Sequence, residues 1–144
     1  METQITCRYP KEGINTRRIR TNLTKILRGL GCHKCELSLL LTDDQEIAEL
    51  NYRFLKRQGP TNVLAFPMRE NDAPEPETSM LGDIVISLDA ALRDAKTTGE
   101  TFQETLDRLL VHGLLHLVGY DHEISEEEGL RMDKEEHRLL ALVK

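Results

Sequence analysis

No run of apolar residues in this 144-residue chain approaches the roughly 18–20 that a membrane span requires. The cysteines number three (Cys7, Cys32, Cys35), an odd count that argues against a disulfide framework and fits a reducing cytoplasm. The opening METQITCRYPKEG lacks the apolar stretch of a secretory leader, so a cytoplasmic location is expected. Internal repeats and low-complexity tracts are missing as well. What is present is ordinary for a soluble globular protein: 39% hydrophobic and 31% charged residues, in a chain long enough for one core but not two. A single domain over 1–144 is expected.

The net charge of −6 conceals an asymmetry. Residues 1–69 carry 12 Lys and Arg against 7 Asp and Glu, whereas residues 70–144 carry 7 against 18. A polyanionic partner such as RNA therefore has to meet the first half, unless the acidic half is merely a solubilising surface.

Strand and helix patterns interleave. ITCRY (5–9), ELSLLLT (36–42), TNVLAFPM (61–68) and GDIVISL (82–88) have strand character, with an acidic, proline-bearing loop over 69–80. Between the first two strands, Ile19, Leu23, Ile26, Leu27 and Leu30 recur at helical spacing up to a Gly31 stop. Arg17, Arg18, Arg20, Lys25 and Arg28 fall on the other face of that helix. DDQEIAELNYRFL (43–55) predicts a second helix and 89–99 a third. Thr101 with Glu104 forms a capping box that opens a helix through 102–118. Ser125 with Glu128 opens a last one to about Leu142. The fold class expected is α+β: a mixed sheet of about four strands, one pair at least parallel, packed with about five helices.

Three histidines then stand out in HGLLHLVGYDH (112–122). A lone histidine in an apolar helix is usually a hydrogen-bonded core residue. Here His112 and His116 are four apart, which stacks their rings on one helix face. Two polar rings there need a common partner, and a divalent ion supplies one, because each neutral imidazole offers a lone pair. Gly119 can release the chain through a left-handed turn, so that His122 returns to the same ion. Three imidazoles leave a tetrahedral ion with one open position; they favour zinc, one per chain, with nickel, copper or iron also compatible. His112, His116 and His122 are thus the candidate metal ligands and, through water activated by the metal, the candidate catalytic residues. Asp121 either orients a ligand ring or caps the turn. The spacing is that of the metzincin protease pattern H-E-x-x-H-x-x-G-x-x-H, yet Gly113 stands where that pattern needs its general-base glutamate. A peptidase is disfavoured.

With these residues in hand, the chain resembles the YbeY family of bacterial endoribonucleases and ribosomal RNA maturation factors. HGLLHLVGYDH fits that family's signature H-G-x-L-H-L-x-G-Y-D-H, and PTNVLAFP (60–67), LGDIVIS (81–87) and ELN (49–51) fit further blocks in the same order. The resemblance implies a zinc site at His112, His116 and His122, single-stranded RNA as substrate, action at the 3′ end of small-subunit ribosomal RNA, and a part in ribosome quality control. It implies ribosomal RNA and the small ribosomal subunit as partners; a monomer is expected, with no membrane. RNA contacts are expected from Arg17, Arg18, Arg20 and Arg28, with Arg53, Lys56 and Arg57 at the mouth of the site. Two departures stand out. Phe54 and Leu55 occupy the places where many members carry a Tyr-Arg pair whose arginine is thought to face RNA, and Ala65 replaces a usual serine. The alternatives are a non-catalytic ribosome assembly factor with a structural zinc and a metal-dependent hydrolase of another substrate. Against the first, a structural zinc usually has four protein ligands, and no fourth stands out near the motif.

Other features have plainer readings. CHKC (32–35) lies between a helix and a strand, the wrong order for a thioredoxin-like motif. His33 and His137 are expected at the surface. Met132, Leu139, Leu140 and Val143 form a buried helical stripe. The acidic run 123–128 suits a helix start.

Overall fold

Leu37, Leu39 and Leu41 alternate with Ser38 and Leu40 along one strand, and that alternation organises the whole molecule by sending two sets of side chains to two faces. The computed structural model describes residues 2–9, 14–32, 34–67, 80–120 and 125–143. In it the elements run β1 (Glu2–Cys7), α1 (Thr16–Gly29), β2 (Glu36–Thr42), α2 (Asp44–Leu55), β3 (Val63–Pro67), β4 (Met80–Ser87), α3 (Leu88–Thr98), α4 (Phe102–Leu117) and α5 (Glu126–Leu142). The α+β class, the four strands and the five helices are as expected. β1 begins at Glu2 rather than Ile5, and β4 at Met80 rather than Gly82. Both extensions are made by pairing, Glu2 opposite Glu36 and Glu36 opposite Met80, which no local pattern announces. The loop expected at 69–80 lies outside the described residues except for Met80, as does Met68 at the end of β3.

The sheet order is β1-β2-β4-β3. β1, β2 and β4 are parallel, and β3 runs antiparallel to β4 at the edge. On one face, Leu37, Leu39, Leu41, Ile84 and Ile86 meet the apolar stripes of α1, α4 and α5 in the main core. On the other, Leu40, Val85, Leu64 and Phe66 meet Ile47 and Leu50 of α2 in a smaller one. Cys32 and Cys35 pack beside the main core, and Met132 and Leu139 are buried in it, as their spacing predicted. Among the described residues, no helix is long and apolar enough to cross a membrane.

Helix ends are fixed locally. The Thr101–Glu104 box forms in both directions. At α5 only half of the expected box forms: the Ser125 hydroxyl accepts from the Glu128 N–H, while the Glu128 carboxylate turns to Arg131 at 2.7 Å. At the far end of α1, Gly31 (φ +79°) closes the helix, with the Cys32 N–H reaching back to the Leu27 carbonyl at 2.8 Å.

One charge is taken into this packing. Asp107 of α4 is 7% exposed, accepts from Asn22 Nδ2 at 2.8 Å and lies 3.9 Å from an Arg18 guanidinium nitrogen. Burial pushes its carboxyl above the usual range, against the opposing pull of Asn22 and Arg18. An acid whose pKa is raised on folding favours the proton in the native state, so stability falls as pH rises from the unfolded value through the folded one. Asp107→Asn keeps an acceptor for Asn22 and removes that titration. It is expected to melt with the wild type near pH 3 and above it at neutral pH, by no more than about 1–2 kcal/mol given the offsetting partners. Melting curves at the two pH values check this.

Candidate metal centre

Helix α4 is apolar on most of its circumference because it lies between the sheet and its neighbouring helices. Leu106, Leu109, Leu110, Val111, Leu114, Leu115 and Leu117 are buried. One stripe differs. Arg108, His112 and His116, each four residues on from the last, are only partly buried, so the histidine face is partly open to solvent. Arg108 sits a turn above His112 and is held by Glu100, with Nη2 to Oε1 at 2.9 Å; this pairing keeps the Glu100 carboxyl below its ordinary range.

The two imidazoles meet edge to face, with centroids 4.6 Å apart and planes at 76°. Their Nε2 atoms are 3.0 Å apart. Two nitrogens on one zinc ion at about 2.0–2.1 Å each, at right to tetrahedral angles, lie roughly 2.9–3.4 Å from one another. The pair therefore has the spacing of two corners of one coordination shell. His112 Nδ1, on the far side of its ring, lies 2.9 Å from Glu136 Oε1 of α5. Glu136 escaped the sequence reading entirely.

Beyond His116 the chain turns as predicted. Gly119 has φ +103°, the Gly119 N–H reaches the His116 carbonyl at 3.1 Å, and the Tyr120 N–H reaches that of Leu115 at 3.0 Å. The Arg131 guanidinium covers the Tyr120 ring at 5.3 Å, tying the exit of the turn to α5. His122 and Asp121 lie outside the described residues, so the third candidate ligand is not placed. Among the described residues, no three His, Cys, Asp or Glu side chains converge on one point. His33 also lies outside them. His137 is exposed, with its Nδ1 2.8 Å from the Asp133 carbonyl.

The family model for Endoribonuclease YbeY matches residues 4–144. The chain belongs to the YbeY family. It is 44% identical over 134 residues to the Endoribonuclease YbeY of Syntrophus aciditrophicus, covering 92% of this chain and 84% of that protein. It is 42% identical over 144 residues to the Endoribonuclease YbeY of Geobacter sulfurreducens, covering 99% and 96%. The solution structure of TM1509 from Thermotoga maritima superposes with a TM-score of 0.68 at 26% identity, covering 99% of this chain and 89% of that one.

The YbeY sequence blocks have structural duties in this chain. Asn51 is buried and donates from Nδ2 to the Gly59 carbonyl at 3.0 Å, pinning the loop that precedes β3. That loop leaves α2 through Lys56 in the left-handed conformation (φ 57°). Asn62 donates to Asp94 at 3.1 Å, and its carbonyl accepts from the Ser87 N–H at 3.0 Å. Ser87 also caps α3. The pinned loop feeds β3, whose Val63 abuts α4 at Gly113, the residue after His112. Arg53 in the last turn of α2 and Lys56 and Arg57 at the start of the loop are exposed, with the Lys56 ammonium 5.8 Å from the Tyr52 ring centre.

The arginines of α1 are placed differently. Arg18 faces Asp107, which lies roughly 140–180° around α4 from His112 and His116 at about 100° per residue. Arg20 donates to the Thr3 carbonyl of β1. Arg17 and Arg28 are exposed on the same helix. The contacts of Arg18 and Arg20 are thus with Asp107 and β1, away from His112 and His116.

Proposed function

We propose that this chain is a zinc-dependent endoribonuclease that cuts single-stranded RNA, maturing the 3′ end of small-subunit ribosomal RNA and serving ribosome quality control. It works in the cytoplasm as a monomer that meets the small ribosomal subunit. The observation that carries the reading is the pair of Nε2 atoms 3.0 Å apart on α4, one of them on a ring whose other nitrogen meets a carboxylate. Neutral imidazoles are suitable donors for zinc, and a partly open face suits a reacting site better than a closed structural one. His112 and His116 would hold the ion, with His122 completing the set. A divalent ion there polarises a phosphoryl oxygen and makes water a better nucleophile. The protein's own part is positioning. Glu136 orients the His112 ring, and Arg53 at the end of α2, with Lys56 and Arg57 on the pinned loop, presents cations to the backbone phosphates near the site. Arg17 and Arg28 can reach only a more distant stretch of the same strand.

The test is cleavage of a single-stranded RNA bearing the 3′ end of small-subunit ribosomal RNA, with a duplex as control. Zinc-loaded wild type is expected to cut the single strand. His112→Ala and His116→Ala are expected to lose at least about a thousandfold in rate, the several kcal/mol that metal polarisation contributes. Stoichiometric zinc with no cleavage, or variants that cut as fast as the wild type, would overturn catalysis in favour of a structural ion.

A further inference from the structure

We infer that Glu136 is a positioning residue for the metal centre: through its hydrogen bond with His112 it selects the ring form that presents Nε2 to the ion. The inference rests on the metal reading above and concerns a residue that no sequence motif singled out.

The geometry has three parts. Glu136 Oε1 lies 2.9 Å from His112 Nδ1, with side chains 21% and 30% exposed, so water competes only in part for either. A carboxylate accepts and cannot donate, so the shared proton sits on Nδ1 and the lone pair of a neutral ring is left on Nε2. That Nε2 is the atom 3.0 Å from His116 Nε2. One contact therefore settles both which nitrogen is available and where it points.

Two other carboxylates on α5 behave differently. Glu128 pairs with Arg131 and Glu135 with Arg138, each three residues along the same helix. Glu135 and Arg138 meet through two parallel bonds, at 2.6 and 2.8 Å, and Arg138 also donates to the Gly29 carbonyl, joining α5 to α1. Glu136 instead reaches a histidine 24 residues away on α4. A local surface pair contributes little, whereas a contact between helices fixes a ring against a separate element. A free imidazole divides its proton between two nitrogens and rotates about two side-chain torsions. Fixing both ahead of metal binding removes an ordering cost from the binding step.

The experiment measures zinc affinity by competition with a chromophoric chelator on the full chain, for wild type, Glu136→Ala and Glu136→Gln, with His116→Ala as control. Glu136→Ala is expected to weaken zinc binding about 10–100-fold. Glu136→Gln, which keeps an acceptor but not the charge, is expected to lose less. A second readout needs no metal: long-range nitrogen–proton NMR spectra of the metal-free proteins. The wild type is expected to show His112 protonated at Nδ1, and Glu136→Ala a mixture of both ring forms. Zinc bound by Glu136→Ala within twofold of the wild type would overturn the inference, as would an unchanged His112 ring form. If the wild type and His116→Ala both take up no zinc, the metal reading falls and this inference falls with it. If the wild type loads, His116→Ala does not and Glu136→Ala loads normally, only the inference falls.

Discussion

Replacing Gly113 by glutamate is expected to leave the chain unfolded, although it writes the full H-E-x-x-H-x-x-G-x-x-H spacing into the sequence. A Cβ at this position already stands 3.1 Å from Ile84 Cγ2 and 3.3 Å from both Ile84 Cδ1 and Val63 Cγ2. Ile84 is fully buried in the main core, so it has little room to give. Overfilling such a site costs about 1–3 kcal/mol for the first extra carbons alone. The remainder of a glutamate then carries its charge between helix and sheet, at a further several kcal/mol for an unpaired ion. The sum is comparable with the whole stability of a small domain, about 5–15 kcal/mol. Gly113→Ala separates the two effects: it gains about 1 kcal/mol of helix propensity and loses about 1–3 to crowding, so a modest net loss is expected. Circular dichroism melts of both variants check the order. A Gly113→Glu protein that melts like the wild type, or that hydrolyses peptides, would contradict the packing account. The glycine is present because α4 lies close against β3 and β4 at this point. The protease arrangement is therefore closed to this fold for a steric reason as well as a chemical one.

That steric reason is invisible in the sequence, where Gly113 is only a missing glutamate. What could be read were features written in local spacing. His112 and His116 share a face because they are four apart, and the turn at Gly119 forms because glycine alone adopts φ +103° without strain. The helices were legible for the same reason, through caps and apolar stripes. Strand starts were less so, since Glu2 and Met80 are strand residues only through their shared partner Glu36. Glu136 could not have been found. Nothing in an acidic helix distinguishes the one carboxylate that α5 turns toward α4 from its neighbours that pair along the helix. Charge patterning is likewise blind to tertiary partners. Arg18 and Arg20 fall on a basic face when α1 is drawn alone, yet tertiary packing sets one against Asp107 and the other against the backbone of β1. Arg108 stands on the histidine stripe itself, and Arg53, Lys56 and Arg57 are exposed at the end of α2 and on the loop before β3. The backbone there is held by Asn51, a residue whose role depends on a carbonyl eight positions on.

His116→Ala is expected to abolish zinc-dependent stabilisation while leaving the metal-free fold nearly untouched. An ion that binds only the native chain stabilises it by about 2.7 kcal/mol at a hundredfold excess over its dissociation constant. For a domain of this size that corresponds to a rise in melting temperature of roughly 5–11 °C, at about 2–4 °C per kcal/mol. The wild type is expected to show such a rise on adding zinc and to lose it on adding a chelator. In His116→Ala one corner of the 3.0 Å nitrogen pair is gone, and the rise is expected to vanish. The metal-free baselines of the two proteins should nevertheless nearly coincide, because His116 is only partly buried and its removal leaves a gap on an open face rather than a core cavity. This coincidence gives the measurement its force. A loss of RNA cleavage alone could follow from misfolding, whereas matched metal-free melts with a zinc response in only one protein assign the defect to the ion. Equal zinc responses in the two proteins would show that the ion is held elsewhere, and that the close approach of the two imidazoles is ordinary helix-surface packing.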